Sequence, residues 1–164
     1  MNPRLHSAIL AVLVVTFDRV TKMGVLHSLS SYNIVPVIPG ILNIVHAENP
    51  GAAFSMLSDA SPWIRAVVLV GLSTFVLVLV GVLLWRPPES PTGIRGSVMR
   101  LGLTLVFAGA LGNLIDRVFR GTVTDFVQVF IGSYDFPAFN VADSAITIGA
   151  GLLVIELLRN RKSA

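Results

Sequence analysis

Four long apolar stretches divide the chain, and each predicts a membrane helix. The second contains twenty residues without a charge, Ala66 to Trp85, enough to cross a hydrocarbon core of about 30 Å as a helix. The first and fourth carry a few charged residues, and the third, Leu101 to Ile115, reaches spanning length only if Val98–Arg100 and Asp116 are included. The predicted spans cover about residues 5–26, 64–85, 98–117 and 140–158. Together they predict a single integral-membrane domain over residues 1–164.

The two segments on the outer side, about 27–62 and 118–139, show strand and turn patterns. Ile34–Ile38 and Ile41–Val45 are β-branched runs separated by Pro39-Gly40, typical of a hairpin. Thr122–Val129 alternates like a strand, Glu48–Gly51 is a turn signal, and Phe136–Phe139 is interpreted as a turn. We therefore expect a mainly α membrane protein with four transmembrane helices and a small β element with loops on the outer (periplasmic) face.

The positive charges predict how the chain is oriented. Residues 27–62 contain no lysine or arginine, whereas seven lie at the ends and between the second and third spans. These seven are Arg4, Arg86, Arg95, Arg100, Arg159, Arg161 and Lys162. By the positive-inside rule both termini are cytoplasmic and the two loops that carry acids face outward. We predict a bacterial inner (cytoplasmic) membrane protein with several crossings.

Composition narrows the function classes. Of the 164 residues 54% are apolar and 13% charged, against roughly 45–50% and 25% in soluble domains. This argues against a soluble enzyme and against disorder. The absence of cysteine excludes disulfides and thiolate chemistry. The net charge of +3 is explained by the positive residues on the cytoplasmic side, so it does not indicate nucleic-acid binding. A cleaved signal peptide is the alternative for residues 1–26, but the chain shows no small-x-small cleavage site there.

Polar residues inside the predicted spans are candidates for function because they are costly at membrane depth. Asp18 and Lys22 lie four apart on one helix face, so they predict an ion pair that braces the first span. Direct chemistry is the other interpretation. Arg19 points elsewhere and is expected to extend towards the membrane surface.

The third span combines a small-residue face with a polar end. Small residues over 108–112 predict close packing against another helix. One turn later come Asn113, Asp116 and Arg117, and the first and last of these share a face. They form either a satisfied polar helix end or a site that holds a substrate carbonyl or lipid head group.

Two acids on the outer side complete the candidate chemistry. Asp125 lies in the predicted strand, and Asp143 lies in the first helical turn after Asn140, a plausible N-cap. The segment between them is short enough to bring them together. Each acid alone has a structural explanation, but paired carboxylates are the one catalytic apparatus that this composition supports. His6, His27 and His46 lack metal-ligand spacing, and no G-x-S-x-G motif indicates a serine nucleophile.

Two other classes compete with an enzyme. A proton-coupled transporter also uses buried acids and bases, but it would need them near the midplane, with internal repeats or broken helices. A structural subunit explains the small-residue face but not the paired acids.

Five blocks in order carry a resemblance that covers nearly the whole chain. They are Asp18-x-x-Thr21-Lys22, Asn49-Pro-Gly-Ala-Ala-Phe54, Gly109-Ala-Leu-Gly-Asn-Leu-Ile-Asp-Arg117, Val123-Thr-Asp-Phe126 and Phe139-Asn-Val-Ala-Asp-Ser144. The chain resembles the bacterial lipoprotein signal peptidases, the signal peptidase II family. The resemblance implies an aspartic endopeptidase that removes the signal peptide from diacylglyceryl-modified prolipoproteins, cutting before the lipidated cysteine.

The resemblance also assigns roles to residues. It implies a water-activating catalytic pair, Asp125 and Asp143, with no metal or other cofactor. Substrate-binding residues would be Asn49, Gly51, Asn113, Arg117 and Asn140. Structural support would come from Asp18, Lys22 and Asp116. The expected partners are prolipoprotein substrates and membrane lipids, the expected inhibitor is the cyclic peptide globomycin, and the expected state is a monomer.

Overall fold

The computed structural model describes residues 2–31, 33–51, 61–86 and 96–161. Within them lie four helices, α1 (Pro3–Ser28), α2 (Pro62–Trp85), α3 (Ser97–Arg120) and α4 (Val141–Arg161). Four strands lie between these helices, β1 (Ile34–Ile38), β2 (Leu42–Asn49), β3 (Val123–Ile131) and β4 (Tyr134–Phe139). The prediction of a mainly helical protein with a small β element is confirmed. Ala52, Ala53 and Phe54 of the second block, and also Arg95 and Lys162, lie outside the described residues.

The helices form where apolar runs meet local start signals. Asn2 caps α1 by accepting a hydrogen bond from the Arg4 amide, and Ser61 caps α2 in the same way from Ile64. Gly121 ends α3 in a left-handed conformation with φ of 77°, which glycine adopts without a steric penalty. The helix ends are therefore encoded locally.

Three of the described helices are long and apolar enough to cross a membrane: Trp63–Trp85, Ser97–Arg120 and Val141–Arg159. α1 carries three charged residues in its second half, but its outward side is apolar, with Val12 and Leu13 more than half exposed. The crossing by α1 stays a prediction.

α3 is the central helix and packs against α1, α2 and α4. Its contact with α2 contains the main apolar cluster, built around Val80 and Leu103. Its contact with α4 is closer, because a Cβ atom at Gly109 would overlap the carbonyl oxygen of Ala142. The predicted close packing of the 108–112 face is confirmed.

The strands form one antiparallel sheet in the order β1-β2-β3-β4. The predicted hairpin and the predicted strand around Asp125 are both confirmed. The interpretation of Phe136–Phe139 as a turn is wrong, since these residues lie in β4 and pair with β3. β4 is an edge strand, where Pro137 is tolerated because one row of amides has no ladder partner to lose.

Candidate active site

Asp125 lies on β3 with its carboxylate held by two amides. Asn49 Nδ2 donates to Oδ2 at 3.0 Å and Asn140 Nδ2 donates to Oδ1 at 2.6 Å. The residue is only 3% exposed. Burial raises the pKa of Asp125 to about 6, and the nearby charge of Asp143 adds to the rise while the two amides oppose it. A carboxyl group with this pKa exchanges protons near neutral pH.

Asp143 lies in the first turn of α4, where the helix and its cap position it. Asn140 Oδ1 accepts from the Asp143 amide at 2.9 Å, and Asp143 Oδ2 accepts from the Asn140 amide at 3.3 Å. This reciprocal arrangement is a capping box, and it confirms Asn140 as the predicted N-cap. Asn113 Nδ2 from α3 donates to the other carboxylate oxygen at 2.7 Å.

Asn140 joins the two acids. Its side chain contacts both Asp125 and the amide of Asp143, and the residue is completely buried. The distance along the chain is bridged by β4, which returns antiparallel to β3 and leads directly into α4. The structure thus brings together the acids that the sequence predicted as a pair.

A buried ionic cluster lies beside this pair, between α1 and α3. Lys22 Nζ is 2.8 Å from both Asp18 Oδ2 and Asp116 Oδ2, and it donates to Asn113 Oδ1 at 3.2 Å. The predicted pair of Asp18 and Lys22 is confirmed. The expectation for Arg19 is wrong, because its guanidinium contacts Asp116 instead of extending to the membrane surface. Two buried carboxylates and one lysine leave a negative charge that this arginine balances.

Arg117 lies one helical turn after Asn113, with weakly engaged donors. Its Nη1 donates to the Asn113 carbonyl oxygen and its Nη2 to the Gly51 carbonyl oxygen, both at the long distance of 3.4 Å. Its buried Nε has no hydrogen-bond partner within the described residues. Gly51 itself donates from its amide to Asn49 Oδ1 at 3.0 Å. The guanidinium therefore retains donors for another ligand.

Asp125, Asp143 and the polar side chains next to them line part of a cavity of about 800 Å³. Its remaining wall is mainly apolar and comes mostly from α2, α3, α4 and β4, including Leu69, Val106, Phe139 and Ile146. The volume lies in the range of about 300–1,000 Å³ typical of ligand sites. Five of the ten predicted site residues line it, namely Asn49, Asn113, Arg117, Asp125 and Asp143. Asn140 and Gly51 do not line the cavity but bond residues that do. The buried ionic cluster of Asp18, Lys22 and Asp116 also lies outside the lining.

Comparison with known proteins shows the family and the fold of the chain. The family model for signal peptidase (SPase) II matches residues 10–159. The chain belongs to the signal peptidase II family. The lipoprotein signal peptidase of Desulforapulum autotrophicum is 37% identical over 163 residues, which are 98% of each chain. That of Shewanella piezotolerans is 44% identical over 149 residues, 90% of this chain and 82% of the relative. A bacterial membrane enzyme solved in meso at 2.3 Å has a TM-score of 0.84 and 36% identity, covering 96% of this chain and 90% of that one.

The region that matches the signal peptidase II family contains all ten predicted site residues. One further group there was missed by sequence reasoning, a set of hydrogen bonds around Glu48 with partners from β2, α3 and the start of β3. The only signal was an acid directly before Asn49 in the turn pattern. Among the described residues no group of three or more histidines or acids could hold a metal ion.

Proposed function

We propose that this signal peptidase II family member removes the signal peptide from diacylglyceryl-modified prolipoproteins, cutting before the lipidated cysteine, with Asp125 and Asp143 as its catalytic residues. The observation that carries the proposal is the sharing of one buried amide, Asn140, by both acids at the wall of an apolar cavity. The relatives are named lipoprotein signal peptidases, which supplies the substrate class.

The two acids divide the chemistry by environment. Asp143 lies in the first turn of α4, where its carboxylate accepts hydrogen bonds from the Asn140 backbone amide and from Asn113 Nδ2. Asp125 has a raised pKa and holds the proton that the pair shares. Asp143 takes a proton from a water molecule, which attacks the scissile carbonyl carbon. Asp125 donates a hydrogen bond to the carbonyl oxygen as negative charge develops there. The proton that Asp143 took from water then passes to the leaving amide nitrogen as the C–N bond breaks.

The residues around the acids bind the substrate. Arg117, Asn49 and Asn113 line the cavity, and their weakly engaged or remaining N–H donors suit peptide carbonyl oxygens. Gly51 and Asn140 hold these groups in place, and the ionic cluster of Asp18, Lys22 and Asp116 braces the site from α1. The apolar wall accepts the acyl chains and the signal peptide.

The site lies at the outer face of the bacterial inner membrane, with both termini in the cytoplasm. Three observations support one basic end opposite the sheet. Arg4 lies over the Trp85 ring at 5.4 Å, and Arg100 donates to the Leu84 carbonyl oxygen at 3.3 Å. Asp125 lies within the sheet, and Asp143 follows β4 closely at the start of α4. We further propose that the protein acts as a monomer among membrane lipids and is inhibited by globomycin.

Purified protein in detergent tests the proposal directly. It is incubated with a prolipoprotein carrying diacylglyceryl-cysteine and, in parallel, with the same chain unmodified, and the product termini are identified by mass spectrometry. We expect cleavage immediately before the lipidated cysteine, blocked by globomycin, and little cleavage of the unmodified chain. No cleavage of the lipidated substrate, as a transporter or structural subunit would give, would overturn the proposal.

A further inference from the structure

We infer that Glu48 is a positioning residue for the reaction, fixing Asn49 so that its amide reaches Asp125. The inference rests on the proposed function of the aspartate pair. Neither Glu48 nor its partners line the cavity, and none of their side chains bonds Asp125 or Asp143. Any effect on the acids therefore passes through a neighbouring residue, and Asn49 is the one that bonds Asp125 directly.

Glu48 is the centre of a hydrogen-bond cluster on the back of the sheet. Its Oε1 is 2.9 Å from both His46 Nε2 and Arg120 Nη2, and 3.3 Å from Thr124 Oγ1. Thr122 Oγ1 donates to Oε2. Although burial raises the pKa of Glu48, the bonds from Thr122 and His46 and the charge of Arg120 lower it overall. The carboxylate is therefore ionised at neutral pH and binds three elements at once.

The register of β2 and β3 places this cluster directly behind the catalytic face. Glu48 pairs with Thr124, Ala47 with Asp125 and Asn49 with Val123. Because successive side chains of a strand point to opposite faces, Glu48 points away from the acids while Asn49 points towards them. The chain then leaves the sheet at Pro50, which has no amide hydrogen to continue the ladder. Glu48 thus secures the last pairs of β2.

The same cluster connects α3 to the sheet. Arg120 lies in the last turn of α3, donates to Glu48 and also donates to Thr124 Oγ1 at 2.7 Å. Thr124 is completely buried, and its carbonyl oxygen accepts from Asn140 Nδ2 at 3.3 Å. Loss of Glu48 frees the end of β2 and lengthens the hydrogen bond from Asn49 to Asp125.

The expected effect lies in turnover more than in stability. The side chain of Glu48 is 30% exposed, and partly exposed ion pairs contribute little to folding. Groups that orient the ligands of a catalytic metal typically change activity by about 10–100-fold, and we take the low end of that range for Glu48, which orients an amide. We expect Glu48→Ala to lower kcat about tenfold with KM changed less than about twofold, and Glu48→Gln, which keeps one acceptor oxygen, to lie between.

A double-mutant cycle with Asn49 tests the route. If Glu48 acts through Asn49, adding Glu48→Ala to Asn49→Ala lowers kcat by no more than about twofold further. The pH profile gives a second readout. Loss of the Asn49 bond, which favours ionised Asp125, moves the alkaline limb of kcat to higher pH in both single variants. Asn140, Asp143 and Lys22, which also act on Asp125, are unchanged in these variants.

Asp135→Asn is the matched control, because Asp135 is an exposed acid of the same sheet that bonds only Gln128 among the described contacts. Three results would each overturn the inference. They are a wild-type kcat in Glu48→Ala, a kcat of the double variant reduced by the product of the two single effects, and an alkaline limb at the same pH as in the wild type. If Glu48→Ala does not fold, the same three measurements (kcat, the double variant with Asn49→Ala and the pH profile) are made on Glu48→Gln. Failure of the wild-type protein to cleave would overturn the proposed function as well, whereas an active wild type with an active Glu48→Ala overturns this inference alone.

Discussion

Asn140 shows how much of this site depends on single side chains. It is one buried amide, yet it caps α4, contacts both acids and meets Asn113 and Thr124. Its oxygen and nitrogen are used for different partners, so neither aspartate nor leucine can replace it without leaving a buried group unsatisfied. The proposed roles of Asp125 and Asp143 both rest on this geometry.

The raised pKa of Asp125 predicts how stability depends on pH. A carboxyl group whose folded pKa is about 6, above an unfolded value of 3.8, stabilises the fold fully only below the unfolded value. That contribution to the free energy of unfolding, roughly 3 kcal/mol for this difference in pKa, is lost as the pH rises through about 6. Asn at position 125 does not titrate, so Asp125→Asn lacks this loss. We therefore expect the melting temperature of the variant to rise relative to that of the wild type as the pH increases from 4 to 7. Thermal unfolding across this range measures the difference, and a constant difference would contradict the assignment.

Asp18 is predicted to support the fold more than the chemistry. Its carboxylate binds Lys22 and accepts from the Ala142 amide at 3.0 Å, and it is 1% exposed. Removing one partner of a buried pair costs roughly 3–5 kcal/mol. We expect Asp18→Ala to lower the melting temperature while folded molecules keep appreciable activity, with Asp18→Asn less affected. A fully stable but inactive Asp18→Ala would place Asp18 in the catalytic group instead.

At the scale of elements, α3 holds the site together because its small residues admit two neighbours. Gly109 meets the backbone of α4, and Gly112 meets the carboxylate of Asp18 on α1. The same helix carries Asn113, Asp116 and Arg117 on its last turns. Close packing therefore sets how far the ionic cluster of Asp18, Lys22 and Asp116 lies from Asp125 and Asp143.

Gly109→Ala tests this packing. The new Cβ would overlap the Ala142 carbonyl oxygen, a backbone atom that moves only with α4. Overpacking typically costs about 1–3 kcal/mol, and we expect a lower melting temperature together with reduced cleavage. Gly24→Ala is the control, since no atom lies within 4 Å of a Cβ there. Equal stability of the two variants would contradict the role given to the α3 and α4 contact.

The sequence predicted elements better than contacts between them. The helices were readable because apolar runs and caps are local, and the strand around Asp125 because it alternates. β4 was missed because Pro137 and the aromatic residues around it resemble a turn until the pairing with β3 is known. The charged partners of Arg19 and Glu48 were missed for a related reason. Both partners lie on α3, and neither the helix face of Arg19 nor the sequence around Glu48 shows which charged side chain of another element will lie next to it.

At the scale of the whole molecule, polar chemistry lies at one end and apolar surface surrounds the helices. We predict that Asn33 and Tyr134 face the outside of the cell while both termini are cytoplasmic. The basis is the absence of lysine and arginine from residues 27–62. Single cysteines at these positions, in a chain with none of its own, would react with a membrane-impermeant reagent added outside whole spheroplasts. Labelling of residue 33 only after lysis would contradict the topology.

The most direct test of the account is cleavage of lipidated prolipoprotein by Asp125→Asn and Asp143→Asn. Asparagine keeps the shape of each side chain but neither takes a proton from water nor donates one as a carboxylic acid does. General acid–base catalysis contributes about 10²–10⁴-fold, so we expect each variant, with folding confirmed by thermal unfolding and with substrate still bound, to show cleavage at the limit of detection. A wild-type rate in either folded variant would contradict the two-aspartate mechanism.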